Sequence, residues 1–152
     1  LGGNGCKRAR RFGHPLSVMV VDIDLFKAIN DGWGHLAGDC VICGVAQTCL
    51  ARTRQGVDTV ARYGGEEFVL VLPETDTHDA LHLAESLRQA VAARQVLVGD
   101  EGVTVCVTVS IGVATLHQGS DLSFEDLVKQ ADKALYQAKA TGRNNVQCCA
   151  GC

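Results

Sequence analysis

The chain has 152 residues, of which 47% are hydrophobic, 20% charged and 5% aromatic, with 17 Gly and 2 Pro. That length supports one core burying roughly two-thirds of the unfolded surface, and the composition excludes disordered, collagen-like and repeat classes. Fourteen Lys and Arg against 17 Asp and Glu give a formal charge of −3, which excludes the broad basic footprint of a nucleic-acid polymer binder. No apolar run reaches the ~20 residues that span a bilayer, so the expectation is one soluble domain over residues 1–152.

In chain order, residues 1–13 read as a basic, truncated N-terminal segment, helical at its end, which His14-Pro15 breaks. Residues 16–24 form a nearly continuous β-branched run ending in Asp22 and Asp24, the pattern of a strand buried on both faces. Over 37–53, Val41, Ile42, Val45, Ala46, Cys49 and Leu50 recur at helical spacing. Residues 58–63 and 68–72 predict two strands joined tightly at Gly64-Gly65.

Ala80, Leu83, Ala84, Leu87 and Val91 mark a helix over 77–94 entered through Asp76, and a strand follows at 103–114. Ser123-Phe124-Glu125-Asp126 starts a third helix, closed by Gly142, whose apolar face includes Leu127, Ala131, Leu135 and Ala138. A short strand near 145–148 precedes a Cys-rich tail over 148–152. This β-α-β-β-α-β-α order predicts an α/β (α+β) fold of ferredoxin-like type, a central mixed sheet flanked by helices.

The eight Cys are scattered through predicted helices and strands and read as reduced thiols. Cys40/Cys43 and Cys149/Cys152 have the spacing of a four-thiolate zinc site. Against that, Cys40 and Cys43 lie on an amphipathic helix where Cys serves as a small hydrophobe, and the tail reads as frayed.

Arg62-Tyr63-Gly64-Gly65-Glu66-Glu67-Phe68 resembles the signature of the GGDEF-domain diguanylate cyclases, in its GGEEF form. Four further blocks match in order: 21–27, 29–31, 34–39 and 131–144, so the resemblance covers 14–147. It implies a nucleotide-cyclase palm-type sheet and a nucleotidyltransferase that condenses two GTP into cyclic di-GMP with release of two pyrophosphates. The implied partners are GTP, cyclic di-GMP, a second copy of the chain for catalysis and an upstream sensor domain. The implied setting is cytoplasmic for this domain, with a membrane-attached parent protein as an option. The alternative is a catalytically silent module that binds GTP or cyclic di-GMP.

A nucleoside triphosphate needs Mg²⁺, with Mn²⁺ as a second choice, and such ions favour one or two carboxylates plus phosphate oxygens. By resemblance Asp22, Glu66 and the Ile23 carbonyl hold the metal, and Asp22, Glu66 and Glu67 form the catalytic set, with Glu66 able to take the proton from the attacking 3′-hydroxyl. The plain alternative for Asp22 is a helix cap.

Phe26 and Lys27 follow the strand directly, where N–H groups at a helix start favour phosphate. Gly64 and Gly65 admit close approach of phosphate or sugar, or make only a turn. Lys139 and Arg143 are implied phosphate clamps, or else a solvated basic turn.

Asn30 and Asp39 match the family's guanine-reading pair. A carboxylate accepts both Watson–Crick N–H donors of guanine while an amide bonds a further edge atom. Turn and N-cap chemistry are the alternatives for these two residues. Asp58 stands in register with the acid of the family's Arg-x-x-Asp inhibitory motif, but Gln55 occupies the Arg position and Arg54 falls one residue early. An amide does not reproduce a bidentate guanidinium contact.

Overall fold

The computed structural model describes residues 14–117 and 119–149; the predicted N-terminal helix and Cys152 of the second Cys pair lie outside them. Eleven elements follow: β1 (Leu16–Ile23), α1 (Phe26–Trp33), α2 (His35–Arg52), β2 (Thr59–Arg62), β3 (Glu67–Pro73), α3 (Thr77–Ala93), β4 (Val96–Leu97), β5 (Thr104–Val105), β6 (Val109–Leu116), α4 (Phe124–Ala140) and β7 (Val146–Cys148).

The main sheet runs β2-β3-β1-β6-β7, antiparallel except for the parallel β6–β7 pair. Its first four strands have the order of a ferredoxin-like sheet, as the β-α-β-β-α-β pattern predicts. β1 lies in the middle, and every one of its residues is buried. The period of two divides it: Met19, Val21 and Ile23 join the larger core with α2 and α3, whereas Leu16, Val18 and Val20 pack beneath α4. The expected strand buried on both faces is therefore present.

The helix ends follow local chemistry. Asp76 Oδ1 accepts from the Asp79 N–H at the start of α3, and Ser123 Oγ accepts from the Asp126 N–H at the start of α4. α2 starts at His35 rather than residue 37, because Gly34 separates it from α1 at φ 91°.

The predicted strand over 103–114 is two strands. β5 pairs with β4 in a small separate sheet, and residues 106–108 intervene before β6. Residues 106–108 carry no Gly or Pro to mark the break; the Thr108 carbonyl accepts the Asp24 N–H at 2.9 Å, which continues the β1–β6 pairing.

The expected short strand near 145–148 is present as β7, paired with β6, and beyond it the Cys149 N–H donates to the Val113 carbonyl at 3.0 Å. Cys149 is disulfide-bonded, which corrects the all-thiol expectation. Cys40, Cys43, Cys49, Cys106 and Cys148 are free. No described helix is long and apolar enough to cross a membrane.

α4 sits unusually close to β6. A Cβ on Gly112 would stand 2.1 Å from the Ala131 carbonyl oxygen and 2.3 Å from the Leu135 nitrogen, both backbone atoms. Gly112→Ala should therefore force α4 off the sheet and lower stability by about 1–3 kcal/mol. Urea unfolding checks this, and an unchanged midpoint would contradict the close approach.

Candidate active site at the end of the central strand

β1 carries Asp22 to the end of the sheet, where its register partners are Glu67 on β3 and Ser110 on β6. Beyond them the Ile23 N–H donates to the Glu66 carbonyl at 3.2 Å. Asp22, Ile23 and the Glu66-Glu67 pair thus meet at one edge. Asp22 is 6% exposed, and Lys139, near the end of α4, pairs with its Oδ2. The helix-cap alternative for Asp22 fails, since it lies inside β1 and α1 is capped at Leu25.

The hairpin holds its shape through Arg62, whose Nε and Nη2 both donate to the Gly65 carbonyl at 3.1 and 2.7 Å. Gly64 takes φ 83° there. Sequence reading gives Arg62 no role; its place at the head of the 62–68 block was the available signal. Glu66 is half-buried, and its carboxylate makes no hydrogen bond among the described residues. The donor set of Asp22, Glu66 and the Ile23 carbonyl is all oxygen, which fits a hard divalent ion such as Mg²⁺ or Mn²⁺.

Excess negative charge marks the same place. The Glu67 carboxyl is pushed up to about 7, chiefly by burial and then by Asp132 and Asp22, with Lys139 opposing. Asp132 on α4 is itself raised by burial, with Lys139 again opposing. Sequence reading missed Asp132; its place within the 131–144 block was the available signal.

Between β1 and α1 the chain turns at Leu25, a non-glycine residue at φ 55°. Such a conformation costs on the order of 1–3 kcal/mol and concentrates at functional sites. Phe26 and Lys27 follow in the first turn of α1; Lys27 is exposed.

Asn30 lies on α1 against Gly38 of α2, where a Cβ would stand 2.0 Å from Asn30 Oδ1 and 3.1 Å from the Phe26 ring. Only glycine leaves that amide in place. Asn30 Oδ1 is buried with no hydrogen-bond partner, which costs about 1–3 kcal/mol unless a ligand donates to it. Asp39 is the next residue on α2, exposed and in the second turn. The turn and N-cap alternatives fail here, since both residues are inside helices.

Lys139 and Arg143 end on opposite sides of a tight turn. Arg143 and Asn144 are left-handed at φ 62° and 47°, and the Arg143 side chain is exposed without a partner among the described residues. Asp24, the second carboxylate after β1, is 7% exposed and accepts from Ser110 Oγ, Thr108 Oγ1 and the Asn144 N–H at 2.6, 2.7 and 3.0 Å.

Asp58 is not part of this assembly. It precedes β2, at the end of the hairpin remote from Gly64, and its carboxylate is gripped by Arg54 Nε and Nη2 at 2.7 to 3.2 Å. Arg54 Nη2 also donates to the Pro73 carbonyl and Thr75 Oγ1 at 2.8 and 2.9 Å. Gln55 makes none of these bonds. Asp76, His78 and Asp79 bring ligand atoms within 4.8 Å of one another, but they are exposed and begin α3, at the far end of β3 from Glu67.

The profile of the diguanylate cyclase GGDEF domain matches residues 3–145. Diguanylate cyclase A of Treponema denticola is 44% identical over 131 residues, covering 86% of this chain and 34% of that protein. The chain thus spans about a third of the length of the curated relatives it matches. The active GGEEF domain of a diguanylate cyclase from Vibrio cholerae superposes with a TM-score of 0.88 at 36% identity, covering 99% of this chain and 93% of that one. The GGDEF domain of DgcB from Caulobacter crescentus, solved with c-di-GMP, gives 0.88 at 34% identity over 96% and 84% of the two chains.

Glu67 generates a pH dependence. Its raised carboxyl pKa means that folding favours the protonated form. Its contribution to the stability of metal-free protein is complete below about 4.5 and is lost as pH rises through about 7. Denaturation of metal-free protein across that window should show the decline, and Glu67→Gln should flatten it; the same slope in both proteins would contradict the assignment.

Proposed function

The chain belongs to the GGDEF family of diguanylate cyclase domains, and on that premise we propose that it condenses two GTP into cyclic di-GMP, acting as a homodimer. The observation that supports this reading is the Ile23–Glu66 backbone bond, which joins the end of β1 to the hairpin segment that carries Glu66 and Glu67. Domain boundaries are proposed as read from the sequence, one catalytic domain filling the chain.

In this reading Asp22, Glu66 and the Ile23 carbonyl hold Mg²⁺ or Mn²⁺. When bound, the ion withdraws charge from the triphosphate as a Lewis acid. Lys139 and Arg143 grip the phosphates, together with the N–H groups of Phe26 and Lys27. Gly64 and Gly65 leave room beside the hairpin for phosphate or sugar.

Asp39 accepts both edge donors of guanine, and the unpartnered Asn30 Oδ1 takes a third N–H. Adenine has no matching donors and would leave Asp39 unpaired, so GTP is favoured. Glu66 receives the proton of the 3′-hydroxyl as its oxygen attacks the α-phosphate of the facing GTP, and pyrophosphate departs. Glu67 shapes the charge beside them.

One bound GTP has no second nucleophile within its own site, so two copies must face each other. Feedback through the Asp58 position is proposed to be weak, since Gln55 has no guanidinium and Arg54 is committed to Asp58, Pro73 and Thr75.

Two assays test the reading together. The rate per protein should rise with protein concentration, and Glu66→Gln should abolish cyclic di-GMP formation while GTP still binds. A concentration-independent specific activity would refute the facing-site dimer. Near-normal turnover in Glu66→Gln would remove Glu66 from the chemistry.

A further inference from the structure

Two carboxylates end β1, but the fold uses them differently. Asp22 keeps one oxygen free of protein partners, whereas both oxygens of Asp24 are occupied within the fold. Oδ1 of Asp24 accepts from Ser110, and Oδ2 accepts from both Thr108 and the Asn144 backbone. Asp24 is therefore engaged by the protein itself, with a protein donor on each oxygen.

What it fixes is the chain beyond α4. Gly142, Arg143 and Asn144 are consecutively left-handed, at φ 111°, 62° and 47°. For the two non-glycine residues that conformation persists only where the surroundings over-determine it. Asn144 is held at both ends: its N–H donates to Asp24, and its Oδ1 accepts from Arg88 Nη1 at 2.8 Å. Arg88 is in turn aligned by Glu85 on the same helix. The Arg143 guanidinium, one residue earlier, is left exposed and unpartnered among the described residues. Asp24 also immediately precedes the strained Leu25 turn that leads to Phe26 and Lys27.

We propose that Asp24 is a positioning residue: its buried carboxylate locks the Arg143–Asn144 turn to the end of β1, so that Arg143 and the Leu25–Lys27 turn address the same triphosphate. This rests on the reading of Arg143 as a phosphate-gripping residue. Asp24 itself touches no substrate. Its charge matters less than its two acceptor oxygens, because an amide oxygen placed at Oδ2 can still receive Thr108 and Asn144.

The test is a double-mutant cycle read by calorimetric binding of 3′-deoxy-GTP with Mg²⁺, a ligand without the attacking hydroxyl and so unable to condense. Asp24→Ala should weaken binding about tenfold or more, and Asp24→Asn should recover most of the loss. In an Arg143→Ala background Asp24→Ala should add less than twofold, because the residue through which it acts is gone. A merely structural contribution would give the same factor in both backgrounds, and that result, or unchanged binding in Asp24→Ala, would overturn the proposal.

If Asp24→Ala does not fold, Arg88→Met loosens Asn144 from the other side. It should weaken binding in the Arg143 background alone, and no effect there would equally overturn the proposal. Undiminished binding in Arg143→Ala, by contrast, would refute the phosphate reading on which the proposal rests.

Discussion

A carboxylate buried at the end of a central strand needs a positive partner, and Asp22 meets that need with Lys139. Most of the architecture can be traced to this pairing. The strand order puts β1 between β3 and β6, so Asp22 has Glu67 on one side and Ser110 on the other. α4 brings Lys139 down onto it, and Gly112 lets α4 come that close. Burial, and after it the neighbouring carboxylates of Asp132 and Asp22, raise the Glu67 carboxyl. The same end of the sheet gathers Asp22, Glu66, Glu67 and Asp132.

Around that edge, backbone strain and unpaired groups coincide. Leu25, Arg143 and Asn144 are left-handed without being glycine, and Asn30 holds an amide oxygen without a partner. Each is unfavourable in isolation. Leu25, Asn30 and Arg143 all lie in segments that the proposed site uses. The remote Asp58, by contrast, is fully paired by Arg54, and its geometry is that of a structural ion pair closing the chain between α2 and β2.

Much of this was legible in the residues. The β-branched run of β1 announced a strand buried on both faces, and Asp76 and Ser123 marked helix starts that the structure reproduces. The block from Arg62 to Phe68 located the hairpin. Local pattern failed where distant contacts decided the outcome. The break at 106–108 has no Gly or Pro to mark it. The bonds of Asp24 and Arg62 are ones that no spacing rule encodes, and Asp132 bears on the site through its charge beside Glu67.

The most direct test of the account is incubation of the protein with GTP and Mg²⁺ at high protein concentration, with both products measured. The account predicts cyclic di-GMP and pyrophosphate in a one-to-two ratio. Folded protein that binds GTP yet releases no pyrophosphate at any concentration would contradict it and would identify a silent nucleotide-binding module instead.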